Sequence, residues 1–309
     1  MVVKKMHIIN PKDKKSIILY KWTVDSADIK GVIHIVHGAL EYAKKYDHFA
    51  RFLSSRGYVV FAHNQRGHGE HTQKAGKLID FGEKEGFSNL VGDVLAINKH
   101  IKKEYPTQKL ILLGHSMGSF VSRYFAINYS ERIDKLILVG TVYTTPLAVN
   151  TIISLSSIFQ VIGYSKKGNR FLEAIVFGQF NIPFLIERDM LSWLTSSVEE
   201  RDKHRLEAKA LGPKIFTTDA FKEMFKGLKY ISEPNNIIKI RKNLPIYIIS
   251  GGQDAVGQYG KGIRKVYQLF KEAKILDVEV KIYKNMRHEI LNEQRKHLVY
   301  RDVLKWISK

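Results

Sequence analysis

Lys109-Leu110-Ile111-Leu112-Leu113-Gly114-His115-Ser116-Met117-Gly118 is the stretch on which the reading of this chain turns. After its lysine, the run to Gly114 is continuously apolar, the pattern of a strand buried on both faces of a sheet. Met117–Asn128 then carries the apolar spacing of an amphipathic helix. Between the two, Gly114 and Gly118 flank a serine on a strand-to-helix turn too tight for side chains on either side. Such a turn strains the serine and lifts Ser116 Oγ above the sheet edge. The start of the helix also aims the Met117 N–H at the point where an oxyanion would form.

Working outward, short apolar runs alternate with longer amphipathic ones, which predicts a mostly parallel sheet with crossover helices on both faces. Upstream, Met6–Asn10 and Ser16–Thr23 flank Asn10-Pro11-Lys12-Asp13 and read as an antiparallel hairpin. Strands are expected at Gly31–Val36 and Tyr58–His63, and helices at Lys45–Arg56 and Asn89–Glu104. Downstream, Lys135–Gly140 is a further buried strand, and right-handed crossovers would lay these strands side by side. The alternation then stops. From Thr144 to Pro234 the chain reads as helices: Thr151–Ile162, Asn169–Phe177, Asp189–Leu194, Val198–Ala210 and Asp219–Lys226. It resumes with strand Leu244–Ser250, helix Lys261–Glu272, strand Val278–Tyr283 and a last helix, Leu291–Ile307. The expected organisation is a core from residues 1–143 and 235–309, interrupted by a helical cap at 144–234 over the C-terminal edge of the sheet.

The 309 residues hold no cysteine, which removes disulfides, thiolate metal sites and cysteine nucleophiles together and fits a reducing cytoplasm. Met1–Asn10 has no apolar run of signal-peptide length, and the most apolar later stretch, residues 151–164, is broken by serines and a glutamine. A soluble, cytoplasmic protein is expected. The net charge of +20 is unusual, but its lysines are scattered in pairs such as Lys4-Lys5 and Lys166-Lys167. They read as a solvated surface with no nucleic-acid partner; the sharper alternative is peripheral contact with an anionic membrane.

A serine hydroxyl needs a base within hydrogen-bond reach. On a turn of this kind the acid and the histidine follow the serine in the chain. Only His288 and His297 lie beyond the last acid-bearing strand, and His297 falls inside the final helix. His288, in the loop leaving Val278–Tyr283, is therefore the candidate general base. Asp277 precedes that strand and so lies at the wrong end of the sheet, whereas Asp254 follows Leu244–Ser250 at the same edge as Ser116. Asp254 is the candidate acid, holding the imidazole tautomer rather than taking a proton. A second oxyanion donor is expected from the backbone N–H of Ala39, in His37-Gly38-Ala39-Leu40-Glu41. Candidate substrate contacts are His37, Leu40, Glu41 and His115, although an imidazole so near a turn can also hold the loop by hydrogen bonds, the role expected for His37. No cofactor or metal is implied.

With these residues in view, the chain resembles the monoacylglycerol lipase and lysophospholipase branch of the α/β-hydrolases, often grouped with serine aminopeptidases. His37-Gly38-Ala39 with Glu41, the Asn64-Gln65-Arg66-Gly67-His68-Gly69 loop, Gly114–Gly118 and the stretch Arg287-His288-Glu289-Ile290-Leu291-Asn292-Glu293 carry the resemblance. It implies an α/β-hydrolase fold, a triad of Ser116, Asp254 and His288, an oxyanion hole from Ala39 and Met117, and a cap that admits acyl chains. Two positions depart from the family pattern. Leu40 stands where many relatives have glycine, which would narrow the pocket mouth. Asn64 replaces a usual aspartate, which would remove a familiar ion pair with Arg66.

The expected activity is hydrolysis of a carboxylic ester of a single-chain lipid, a monoacylglycerol or a lysophospholipid. Leu147, Ile152, Ile153, Leu155, Ile158, Phe159, Val161 and Ile162 would line an acyl tunnel or touch a membrane, or else pack the cap on the body. A short-chain esterase or a serine aminopeptidase is the alternative enzyme. A non-catalytic binding protein on the same fold is the rival class; its usual mark, loss of the serine, acid or histidine, is missing.

Overall fold

A computed structural model describes residues 2–24, 28–82, 85–212 and 214–309. The strands are β1 (Val2–Ile9), β2 (Ser16–Thr23), β3 (Gly31–Val36), β4 (Tyr58–His63), β5 (Leu110–His115), β6 (Lys135–Val139), β7 (Ile246–Gly251) and β8 (Val278–Tyr283). They form one sheet in the order β1-β2-β4-β3-β5-β6-β7-β8. β1 pairs antiparallel with β2 and β2 antiparallel with β4, and every later pairing is parallel. The expected opening hairpin is present but starts at Val2, earlier than its apolar residues suggested. As an edge strand, β1 tolerates Lys4 and Lys5 pointing to water. The strands do not lie in simple chain order: β4 sits outside β3, so β5 returns to pair with β3.

The helices are α1 (Asp47–Ser54), α2 (Glu70–Lys74), α3 (Gly86–Glu104), α4 (Met117–Tyr129), α5 (Pro146–Val161), α6 (Arg170–Phe177), α7 (Val198–Leu211), α8 (Thr218–Ser232), α9 (Pro234–Ile237), α10 (Lys261–Glu272) and α11 (Lys296–Ile307). Strands β3 to β7 are buried on both faces, as their unbroken apolar runs require. Alternate residues serve the two faces. Val32, Leu112, Leu136 and Ile248 pack with α3, α4, α8 and α10 in one core. Ile33, Ile111, Ile137 and Tyr247 pack with α1 and α11 in the other.

Helices α5 to α9 lie between β6 and β7 in the chain. The expected helix over Asp189–Leu194 is instead a run of turns. Asp189 explains this: its side chain accepts the Leu191 N–H at 3.0 Å and its carbonyl the Ser192 N–H at 3.1 Å, closing tight turns in place of a helical ladder. Helix α8, which begins at the residue after a strand-like bridge of Gly168 with Thr217, packs against α3 and α4 as well as α5.

Candidate active site

Ser116 joins β5 to α4 with φ 51° and ψ −122°, a conformation L side chains rarely adopt. Neighbours hold it there. Its N–H donates to Val139 O at 2.9 Å, and its carbonyl accepts the Ser119 N–H at 2.8 Å. A Cβ at Gly114 would stand 2.4 Å from Gly118 O, and one at Gly118 would stand 2.1 Å from Val36 O. Both flanking glycines are therefore required by backbone contact.

His288 and Asp254 come to the same edge of the sheet. His288 Nδ1 lies 3.0 Å from Asp254 Oδ1, and both side chains are buried. Asp254 also accepts the Val256 N–H at 2.9 Å and the Ser250 hydroxyl at 2.8 Å. Burial works against its charge, but the His288 imidazole and these donors outweigh it and hold the carboxyl below its ordinary range. Asp277 is exposed at the far end of the sheet, where its carbonyl accepts the Ile246 N–H, and His297 is exposed on α11.

Ser116 and His288 open onto a cavity of about 1100 Å³. Ala39, Leu40, Glu41, His115 and Met117 also line it. His37 does not, which corrects its place among the candidate substrate contacts. It is fully buried, with Nδ1 2.8 Å from Gly38 O and Nε2 accepting the Gln65 N–H at 2.9 Å. With both nitrogens engaged by backbone, its ring braces the loop, and burial holds its pKa down at about 3.

Behind Ser116 lies a buried charge cluster that the sequence only hinted at. Glu41 Oε2 accepts the Gly38 N–H at 2.6 Å and the Tyr46 hydroxyl at 2.7 Å, and lies 3.1 Å from His115 Nδ1. Burial opposes the Glu41 charge, yet His115 and Lys45 hold its carboxyl well below the ordinary range. In return, Glu41 raises the His115 pKa against the desolvation that would lower it. Lys45 Nζ lies 2.6 Å from Glu289 Oε1 and 2.8 Å from His204 Nε2. Lys45 follows Glu41 by four residues and Glu289 adjoins His288, so two of these were visible as neighbours of motif residues. His204, on α7, had no such signal.

The two departures from the family pattern also have structural accounts. Asn64 uses its carbonyl oxygen to accept the Ala43 N–H at 2.9 Å. Arg66 is not left without an ion pair, since it bonds Asp93 and Asp13 instead. Leu40 lines the cavity with φ 60°.

Comparison with known proteins fits this geometry. The family described as serine aminopeptidase, S33, matches residues 27–295. The chain belongs to this family of α/β-hydrolases. It is similar to the monoacylglycerol lipase of Mycolicibacterium smegmatis, 27% identical over 287 residues covering 93% of this chain and 90% of that one. It is also similar to the monoglyceride lipase of Mus musculus, 24% identical over 307 residues, covering 98% of this chain and 89% of the relative. Among solved structures, a thermostable carboxyl esterase from Bacillus coagulans in complex with glycerol superposes with a TM-score of 0.90 at 23% identity, over 99% of this chain and 98% of that chain. The protein is a serine hydrolase with the α/β-hydrolase fold.

Proposed function

We propose that this protein hydrolyses carboxylic esters of single-chain lipids, a monoacylglycerol or a lysophospholipid, through an acyl-enzyme on Ser116. The observation that carries this reading is the composition of the cavity. Much of its wall is apolar, with Phe120, Ile152, Val176, Phe177, Phe225 and Leu228, a surface suited to an acyl chain. Towards α7 it is polar, with Glu41, His115, His204, Lys214 and Glu289, a surface suited to the alcohol half of an ester. The similarity to monoacylglycerol lipases over most of both chains supports the same substrate class.

In this mechanism His288 Nε2 takes the Ser116 proton as Oγ attacks the ester carbonyl. Asp254 holds the imidazole with Nε2 towards the serine and stabilises the imidazolium. The N–H groups of Ala39 and Met117 bind the oxyanion, aided by the N-terminus of α4. Collapse expels the alcohol, protonated by His288, and water then releases the acid by the same steps. Residues 144–234 act as a cap that closes the cavity.

Exposed apolar side chains on the cap support peripheral contact with a lipid surface. Of the apolar residues expected to line a tunnel or meet a membrane, Ile152 is buried against the cavity, whereas Val161 and Ile162 are exposed, as is Ile186 beyond them at 97%.

Initial rates on a long-chain monoacylglycerol, a lysophosphatidylcholine and p-nitrophenyl butyrate, with Ser116→Ala as blank, test the reading. A long-chain lipid should dominate, with its rate increased on vesicles carrying anionic lipid. Turnover of the short ester alone would favour a short-chain esterase, and undiminished activity in Ser116→Ala would remove the serine mechanism altogether.

A further inference from the structure

The loop that carries the proposed oxyanion donor is tied within itself at its start and to the loop after β4 at its end. Glu41 holds the Gly38 N–H and Asn64 holds the Ala43 N–H. Between these points Leu40 adopts φ 60°. That left-handed conformation costs a residue with a Cβ about 1–2 kcal/mol, so an unsupported leucine would tend to leave it. Any such change would carry the adjoining Ala39 peptide away from Ser116.

The buried bonds of Glu41 oppose this relaxation from inside the loop, and a further contact, on the Leu40 carbonyl itself, comes from the segment between β6 and β7. Lys214 Nζ donates to Leu40 O at 2.6 Å, and the ammonium lies over the Tyr42 ring, 5.4 Å from its centroid. Among the described residues no carboxylate comes within ion-pair distance of Lys214, so the carbonyl is its hydrogen-bonding partner. The backbone just beyond Lys214 is itself held, since Ile215 O accepts the Ile79 N–H at 2.8 Å and the Thr217 N–H donates to Ile79 O at 3.0 Å. The amine therefore reaches Leu40 from an anchored base.

We infer that Lys214 is a positioning residue, whose ammonium clamps the Leu40 carbonyl and so holds the Ala39 N–H in register with Ser116. The inference rests on the proposed roles of Ser116 and Ala39. It makes the oxyanion hole a joint product of the core loop and the segment that follows α7. Lys214 touches no reacting atom in this role, so its loss should weaken stabilisation of the transition state more than binding of the ester.

The test uses p-nitrophenyl acetate, a small neutral ester that needs neither the acyl pocket nor a charged headgroup, with Ser116→Ala as blank. Lys214→Met should lower kcat about ten- to a hundredfold, with KM within about threefold, as expected when an oxyanion donor is displaced but not removed. Affinity for an alkyl trifluoromethyl ketone, which forms a tetrahedral adduct with the serine, should fall by the same factor as kcat/KM. Lys214→Arg should restore most of the rate. In a Leu40→Gly background the Lys214→Met penalty should shrink, because glycine adopts the left-handed conformation without strain. Tyr42→Phe, which cuts the neighbouring bond to Glu207 on α7, should leave kcat within about twofold. Thermal melts identify any variant that fails to fold, in which case Lys214→Gln replaces Lys214→Met. Unchanged kcat in a folded Lys214 variant would overturn the inference. So would an equal loss in Tyr42→Phe, or a defect confined to KM for lipids with an anionic headgroup. If the wild type itself shows no Ser116-dependent turnover, the proposed function fails first and takes this inference with it.

Discussion

His115 Nδ1 lies 3.1 Å from Glu41 Oε2, so the residue before Ser116 is bonded to the loop that holds the proposed second oxyanion donor. The same Glu41 oxygen takes the Gly38 N–H, and a Cβ at Gly38 would stand 3.0 Å from Ser116 Cβ. One buried carboxylate therefore sets the spacing between the two halves of the site. Glu41→Gln should cost about 3 kcal/mol of stability, because it leaves the buried charge of His115 without its carboxylate partner, while Lys45 keeps Glu289, and should lower kcat as well. The sign of the pH dependence follows from the two shifts. The His115 contribution is lost as pH rises through its raised pKa, and the Glu41 contribution as pH falls through its lowered one. Urea midpoints of the two proteins should differ most between these limits and converge outside them; a constant offset at every pH would contradict the pairing.

The glycines flanking Ser116 should be far less replaceable than a glycine in open space. Gly118→Ala places a methyl group 2.1 Å from Val36 O and 2.5 Å from His37 O, both of them backbone atoms at the C-terminal end of β3. A loss of about 4 kcal/mol or more, or failure to fold, is expected. Gly178, at the end of α6, has helical φ and no atom within 4 Å of an added Cβ. Gly178→Ala should raise stability by about 0.5 kcal/mol, through the unfolded chain. Thermal melts of the pair give the comparison, and equal effects would be inconsistent with this packing.

Arg123 is buried on α4 and faces carbonyls. Its Nη1 donates to Val142 O and its Nη2 to Ile231 O, each at 2.9 Å. Burial pushes its pKa down to about 9. These carbonyls stand just before α5 and inside the last turn of α8, so one guanidinium ties both places to α4, the helix that follows Ser116. Arg123→Met should destabilise by about 2–4 kcal/mol, since two buried carbonyls lose their donors. Limited proteolysis should then cut first within residues 144–234. Cleavage elsewhere first would argue against the strut.

Acid should unfold the protein earlier than its carboxylates alone would require. His34, His37 and His68 are held by burial down to about 3, and His63 is held well below its ordinary value. Above about pH 6.5 these groups are neutral in both folded and unfolded chains and have no effect. As pH falls below that value the unfolded chain takes up protons that the folded one refuses, so stability drops by up to about 1.4 kcal/mol per group per pH unit. His115, with its raised pKa, changes its contribution only above that window. Urea midpoints measured between pH 6.5 and pH 5 should fall steeply; a flat profile would show that these imidazoles are not buried neutral.

The parts of this protein legible in its sequence are those whose physics is local. A glycine pair around a serine on a strand-to-helix turn follows from hard-sphere contact within a few residues, and the structure has that contact at Gly114 and Gly118. Strands β3 to β7 were legible because burial on both faces demands unbroken apolar runs. The meeting of Asp254 and His288 could be expected because strand order puts their loops at one edge. The turns at Asp189 carry the apolar spacing of a helix, because a side chain competing for backbone N–H groups leaves no trace in that spacing. The placing of β4 outside β3 was likewise decided by packing in the whole sheet. His204 beside Lys45, Arg123 on the last turn of α8 and Lys214 on Leu40 join residues more than a hundred positions apart in the chain. No periodicity or spacing encodes such pairs. Their energy comes from burying charge next to a partner that only the folded chain brings within reach.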